Sequence, residues 1–354
     1  MYGMKQTSFK RYGLTGFLAV LLGTGWLASC SGSGSEPQIR TEYPAVAEEL
    51  GYPEEMTIWD HKELLEPTLF SPMPEWMIWV DLSVLMLLMG AGIFLVVTRK
   101  SAKAVGILTA ATLIYLGIVR GGCICPVGAV SNVAQGLFLP TAVLGIATIL
   151  LFISPLIVAL IAGRVFCSSG CPLGAVQQLL YKKRKPVQVP RVVNRILKIF
   201  PILILAATVY YAVTSCCYLI CQLEPYKALF YTSQAWFEKG VAFLAGRPME
   251  STWLWAFGLG AWSYLIGALL LGYWFPRPFC RLVCPYGVLL GVISLVSFKK
   301  RTINKESCIH CGQCQKICPT QAIVIDRKEK RATLSSYACV QCNRCNDICP
   351  QRAI

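Results

Sequence analysis

One cysteine spacing, written twice in the last fifty residues, constrains this chain more than any other feature. Cys308, Cys311, Cys314 and Cys318 read C-x2-C-x2-C-x3-C and run into Pro319. Cys339, Cys342, Cys345 and Cys349 repeat the spacing and run into Pro350. Three closely spaced thiolates wrap three corners of a cubane, and a more distant fourth closes it. In this spacing the fourth cysteine of each run ligates the other cluster, which ties both runs into one fold. The spacing therefore predicts two [4Fe–4S] clusters. Cys308, Cys311, Cys314 and Cys349 hold one, and Cys339, Cys342, Cys345 and Cys318 hold the other. A zinc ribbon needs only two C-x2-C pairs, and a disulfide framework needs no such repeat. Two full copies argue against both.

The rest of the chain is apolar. Of 354 residues, 55% are hydrophobic and 14% charged, with a mean hydropathy of +0.55. That composition predicts a polytopic α-helical membrane protein carrying a small soluble α+β two-cluster ferredoxin domain. The net charge of +15 is uneven. Residues 31–76 hold ten acids against Arg40 and Lys62, a local charge of −8. The cations elsewhere flank apolar spans and do not line an aromatic-rich face, which argues against a nucleic-acid partner. The only histidines, His61 and His310, provide no intramembrane pair, and C-x-x-C-H is absent. Haem is thereby excluded.

Residues 1–30 read as a secretory signal, with Lys5, Lys10 and Arg11 before the apolar run Leu14 to Leu27. Its end, Leu27-Ala28-Ser29-Cys30, resembles a lipobox, which would make Cys30 a lipidated first residue; an uncleaved anchor is the alternative. Residues 31–76 read as an acidic extracytoplasmic tether. Residues 77–300 form the transmembrane domain, and 301–354 the ferredoxin domain. Apolar segments 77–98, 103–119, 140–162, 196–214 and 253–275 approach the length that crosses a hydrocarbon core of about 30 Å. Segments 172–182 and 285–298 read as helices lying in the interface. Segment 226–246 reads as amphipathic, on the opposite face. Cations cluster after the first, third and fifth spans, among them Arg99, Lys100, Arg164, Lys182, Arg277, Arg281 and Lys299. The positive-inside rule then places the tether outside and the ferredoxin domain in the cytoplasm of a bacterial inner membrane.

Nine further cysteines end the apolar segments. The third and fifth spans continue alike, as Arg164-Val-Phe-Cys167-Ser-Ser-Gly-Cys171-Pro172-Leu-Gly174 and Arg277-Pro-Phe-Cys280-Arg-Leu-Val-Cys284-Pro285-Tyr-Gly287. Both motifs fall at the cytoplasmic face, where an i, i+4 spacing would set each pair of thiols on one side of a helical turn. The second span ends Cys123-Ile-Cys125-Pro126, and the fourth Cys216-Cys217-Tyr-Leu-Ile-Cys221. Spans two and three, then four and five, form a duplicated pair, a common plan in membrane proteins. These cysteines are packing residues, redox thiols, or cluster ligands. Repeated text argues against packing alone. One four-thiolate site drawn from Cys167, Cys171, Cys280 and Cys284 is favoured for the inner set; for Cys123, Cys125, Cys216, Cys217 and Cys221 the choice between thiols and cluster ligands stays open. Asp81 inside the first span is either functional or solvated near the outer end.

With these motifs in place, residues 77–354 resemble the NapH/NosR-type membrane polyferredoxins. The carriers are Cys167/Cys171-Pro172, Cys280/Cys284-Pro285 and the eight ferredoxin cysteines. The resemblance implies electron transfer between cytoplasmic donors or the quinol pool and an extracytoplasmic redox partner protein, of quinol dehydrogenase type, with quinone as a further cofactor. The large extracytoplasmic flavin domain of one branch is replaced here by the short tether. The other function class is a maturation factor supplying reducing equivalents to cofactor or thiol chemistry outside.

Overall fold

The apolar runs become helices in the computed structural model, which describes residues 75–122, 126–139, 144–180, 191–214, 219–244, 259–304, 306–326, 329 and 331–354. The expected signal with Cys30, and the tether but for Glu75 and Trp76, lie outside the described residues. In chain order the helices are α1 (Glu75–Phe94), α2 (Ala102–Thr112), α3 (Pro126–Phe138), α4 (Ile146–Ala162), α5 (Phe166–Ser169), α6 (Pro172–Leu180), α7 (Arg191–Leu197), α8 (Phe200–Thr214), α9 (Leu219–Leu223), α10 (Lys227–Leu244), α11 (Leu259–Trp274), α12 (Pro278–Leu282) and α13 (Pro285–Ile293). Helices α1 and α2 continue as π-helical turns, Leu95–Arg99 and Leu113–Val119. With those turns, Trp76–Arg99 and Ala102–Val119 are long and apolar enough to cross a membrane. Helices α4 and α8 are apolar but shorter, and α11 has 16 residues. Each of the five apolar segments thus holds a helix, while two of them reach membrane-crossing length.

The bundle turns large apolar side chains outward and buries several hydroxyls within its apolar core. Leu87, Ile107, Ile146 and Leu203 are 60–74% exposed, whereas Thr109, Thr112, Ser131 and Thr208 are buried. Buried threonines donate to carbonyls a turn back, as Thr208 does to Ile204 O at 2.7 Å. Water would leave that outer surface uncovered, on a scale that marks an interaction with something apolar.

Packing follows the duplication read in the sequence, with an exchange. Helix α6, after the first C-x3-C-P motif, packs on α11, the helix before the second. Helix α13, after the second motif, packs on α4, the helix before the first. The other two members do the same: α3 packs on α8, and α10 on the π turn of α2. Short helices α6 and α13 thus each touch a long helix of the other half as well as α2 and α8 of their own.

That exchange buries the segments expected in the interface. Every described position from Pro172 to Gln178 is buried, as are Pro285 to Val288, Leu290 and Gly291. Segment 226–246 also joins the bundle, as α10. The Tyr286 hydroxyl donates to Phe152 O at 2.6 Å, ten residues before the end of α4 and so about 15 Å up that helix. Past α13, Phe298 and Lys299 N–H donate to Leu160 O and Ile161 O, both at 2.9 Å, at the helix end. Helix α13 is thus a half-length helix with its N-terminus inside the bundle.

The C-terminal domain contains α14 (Gln313–Ile317), the hairpin β1 (Ile323–Asp326) and β2 (Arg331–Leu334), and α15 (Arg344–Ile348). The strands pair antiparallel with Ile323 opposite Leu334. Two small cores form, Cys314 with Ile323, Ile325 and Ile354, and Cys318 with Ala322 and Ala338. The domain is fixed to the end of the bundle where α1 stops and α2 starts. Asn346 Nδ2 donates to Lys100 O at 3.0 Å, and the Asp347 carboxylate accepts the Ala102 N–H at 3.1 Å. At the end of α13, the Ser294 hydroxyl donates to Ser336 O at 2.9 Å.

Candidate functional site

In the ferredoxin domain the eight cysteines sort into two groups. Cys308, Cys311, Cys314 and Cys349 line one recess of about 360 Å³. Cys318, Cys339, Cys342 and Cys345 line a second of about 360 Å³. Each recess takes three thiols from one run and the fourth from the other. The backbone bends alike in both copies. His310 and Gln341 follow the first cysteine of each run by two residues, with φ of 56° and 57°. Gly312 and Asn343 match at 80° and 60°, and Gln321 and Arg352 at 51° and 47°. Left-handed backbone costs a non-glycine residue about 1–2 kcal/mol, so its recurrence at matched places marks a required curvature.

Cys314 and Cys318 are buried and the other six thiols half-buried. Burial pushes Cys314 up to about 11 and Cys339 up to about 12. Cys318 and Cys345 also lie above the ordinary thiol value, again chiefly through burial. Metal binding is what would displace their protons. Among the described residues, no group of three or more His, Cys, Asp or Glu is set to hold a single metal ion. Thiols spread around a recess suit a body of cluster size better than one zinc ion, which draws its sulfurs to about 2.3 Å.

The second gathering is in the bundle. Cys284 lies in electrostatic range of Cys280, Cys167 and Cys171, so the exchange of half-helices brings both C-x3-C-P motifs together. Cys167, Cys171 and Cys284 are buried and Cys280 is half-buried. The spacing does not sit on one helical turn, as the sequence suggests. Cys167 is on α5 and Cys171 follows its break at Gly170; Cys280 is on α12 and Cys284 precedes Pro285. Donors from both halves serve the sulfurs: Gly287 N–H reaches Cys284 Sγ at 3.3 Å, and Gln177 Nε2 reaches Cys280 Sγ at 3.4 Å. The site lies deeper than the face expected for it. Thr109, seven residues into α2 and so about 10 Å up it, donates to Ser168 O at 2.6 Å.

Two buried arginines complete this site. Arg277, 1% exposed, donates from Nη1 to Cys167 O at 2.8 Å and from Nη2 to Gln178. Arg164, also buried, feels the charges of Cys167, Cys284 and Cys280 and donates to Tyr337 O at 2.9 Å. Both stand three residues before a motif cysteine. The repeated R-x-F-C text contained them, but as cations after a span they read only as topology signals. Arg281 was counted in the same way. It donates to Asn194 Oδ1 at 2.7 Å and Gln321 Oε1 at 3.0 Å, and its guanidinium lies 4.3 Å over the Phe275 ring.

Asp81 is not solvated: it is 2% exposed, pairs with Arg120 and accepts the Tyr115 hydroxyl at 2.9 Å. Cys123, Cys125, Cys216 and Cys217 lie outside the described residues, and Cys221 is placed on α9 by its backbone alone. Helix α9 packs on α3, which begins at Pro126, one residue past Cys125.

Comparison with known proteins finds iron–sulfur domain models over both regions. A family model described as a 4Fe-4S binding domain matches twice, over residues 144–190 and 254–303. Each match contains one C-x3-C-P motif. A model described as a 4Fe-4S dicluster domain matches residues 307–353. Among curated proteins, the uncharacterized protein MJ0749 of Methanocaldococcus jannaschii is 27% identical over 51% of this chain and 62% of its own. YccM of Escherichia coli, provisionally named an electron transport protein, is 29% identical over 51% of this chain and 48% of its own. MJ0750 of Methanocaldococcus jannaschii is 27% identical over 49% of this chain and 66% of its own. The chain thus spans about half to two thirds of the length of these relatives. No solved structure matches significantly. The iron–sulfur binding domains thus matched contain all twelve cysteines of the two gatherings.

Proposed function

We propose that the protein is a membrane-bound iron–sulfur electron carrier of the NapH/NosR type with three cluster sites. Cys308, Cys311, Cys314 and Cys349 form the first, and Cys318, Cys339, Cys342 and Cys345 the second. Cys167, Cys171, Cys280 and Cys284 form the third. The observation that carries this reading is the meeting of four cysteines from two motif copies at one buried place, beside two buried arginines. Four thiols gathered for packing alone would not need guanidinium groups. Thiolates around a metal cluster carry negative charge that such groups offset. The clusters would supply one-electron chemistry; the chain supplies thiolates, hydrogen bonds to sulfur, and a dry surround.

Electrons would pass between the cytoplasmic side or the quinol pool and an extracytoplasmic acceptor. Five crossings, with the ferredoxin domain inside, fit the cation-rich end on which that domain sits. Depth supports the carrier reading. A hydrocarbon core of about 30 Å is far for one hop, and a thiol site about 10 Å into the bundle shortens the remainder. The outer cysteines Cys123, Cys125, Cys216, Cys217 and Cys221 are the groups this chain offers beyond it.

The test is iron analysis of the full-length protein purified in detergent without oxygen. Three sites require about twelve irons per chain. Cys171→Ser and Cys284→Ser should each remove about four, and should do so without an additive loss in the double variant. Two independent losses would show that the motifs do not share a site.

A further inference from the structure

We infer that Arg164 and Arg281 are counter-charges set between the bundle's four-thiol site and the Cys318 site, Arg164 raising the reduction potential of the first and Arg281 that of the second, while the Cys308 site is left apart. The inference rests on the proposed reading of Cys167, Cys171, Cys280 and Cys284 as one cluster site.

The two sites face each other across a small, partly open cavity. Cys280 and Cys284 line it from the bundle side, and Thr320 and Ala338 from the ferredoxin side. Thr320 is two residues past Cys318, and its hydroxyl lies 3.8 Å from that sulfur. Ala338 directly precedes Cys339. Arg164 and Arg281 both stand in the wall, and none of the lining residues is acidic. Buried cations without carboxylates need another negative partner. The thiol groups are the candidates in range: Arg164 feels Cys167, Cys284 and Cys280, and Arg281 feels Cys318. Each guanidinium also has a buried nitrogen with no hydrogen-bond partner, Arg164 Nε and Arg281 Nη1.

Each arginine also bridges the two parts of the molecule. Arg164 leaves the end of α4 and donates to the carbonyl of Tyr337, two residues before Cys339. Arg281 leaves α12 and is held by Asn194 of the bundle and Gln321 of the ferredoxin domain. The Cys308 recess has no arginine in its wall; the Cys318 recess holds Arg301 and Arg344 in its own wall, and Arg281 acts on Cys318 from the cavity side. An electron added to a site beside a fixed cation is stabilised by it, and the effect fades with distance. The arginines are positioning residues: they set the energy of a site whose ligands are cysteines.

The experiment is a redox titration of the full-length protein, read by electron paramagnetic resonance, with iron content as control. Arg164→Gln should lower the midpoint of the bundle site, and Arg281→Gln that of the Cys318 site. Each should change the reduced-to-oxidised ratio at a fixed potential by on the order of tenfold. The Cys308 site should not move. Arg164→Lys and Arg281→Lys keep the charge and should restore most of each shift. If a Gln variant loses iron, the Lys variant decides: a drop in midpoint with full iron content overturns the inference. An equal shift at every site, or none, also overturns it. Wild-type protein with about eight irons would instead refute the four-thiol site and take the inference with it. About twelve irons with unmoved midpoints refutes the inference alone.

Discussion

Gly174 and Gly287 occupy the same place in the two C-P-x-G motifs, yet alanine should be tolerated at only one. Both are the third residue of a short helix, so replacing glycine there gains about 0.5–1 kcal/mol of backbone entropy. What opposes the gain differs. A Cβ on Gly174 would lie 2.6 Å from Cys167 O, a backbone atom that cannot swing aside, and 3.7 Å from Cys171 Cβ. A Cβ on Gly287 would meet Arg164 Nη2 at 3.0 Å and Cys280 O at 3.6 Å; the nearer contact is the end of a long side chain. Overpacking against a fixed neighbour costs about 1–3 kcal/mol. Gly174→Ala should therefore be net destabilising by up to about 2.5 kcal/mol, and Gly287→Ala near neutral. The assay is thermal unfolding of detergent-purified protein alongside iron content. Gly174→Ala should unfold earlier and hold less iron at the bundle site. Equal behaviour, or a larger loss for Gly287→Ala, would refute the idea that the motif glycine is kept by backbone contact in one copy only.

Asp81→Asn keeps an acceptor for Tyr115 but leaves Arg120 without its carboxylate, which should cost about 3–5 kcal/mol; a paired Asp81→Leu, Arg120→Met change should cost far less. Unfolding of both in detergent checks this, and equal costs would refute a charge effect. Cys311→Ser should empty the Cys308 recess and Cys342→Ser the Cys318 recess, each lowering iron by about four and leaving the other ferredoxin signal in place. A reporter active only outside the cytoplasm, fused after Ile354, should stay silent; activity would reverse the proposed orientation. Cys125→Ser and Cys217→Ser should stop electron delivery outside while both ferredoxin sites stay reducible, and normal delivery would make the outer cysteines structural.

The ferredoxin domain was readable because cluster binding fixes spacing directly. Three thiols from one run and one from the other line each recess, as C-x2-C-x2-C-x3-C-P implies. The duplication in the bundle was readable from repeated text. The placing of its short helices was not. An apolar segment running into Lys looks the same whether it floats on a surface or is covered by another helix. What covers α6 is α2 with its π turn, some sixty residues earlier, and α11, some eighty residues later, and no local pattern encodes those pairings. The arginines hid for a related reason. Arg164, Arg277 and Arg281 satisfy a charge-counting rule for orientation, and that rule is blind to whether a cation reaches solvent. Their repetition three residues before a cysteine was the usable signal for two of them.

The fastening of the ferredoxin domain to the turn between α1 and α2 bears on kinetics. Asn346 and Asp347 bind it to that turn, Ser336 binds it to the end of α13, and Arg164 adds a third segment. A domain on a loose leash could carry charge by diffusing between docking positions, and its turnover would slow as the solvent thickened. This one has no such arc to travel. Internal transfer should therefore be indifferent to glycerol or sucrose, and any sensitivity to viscosity would belong to the arrival and departure of whatever molecule meets the domain from outside.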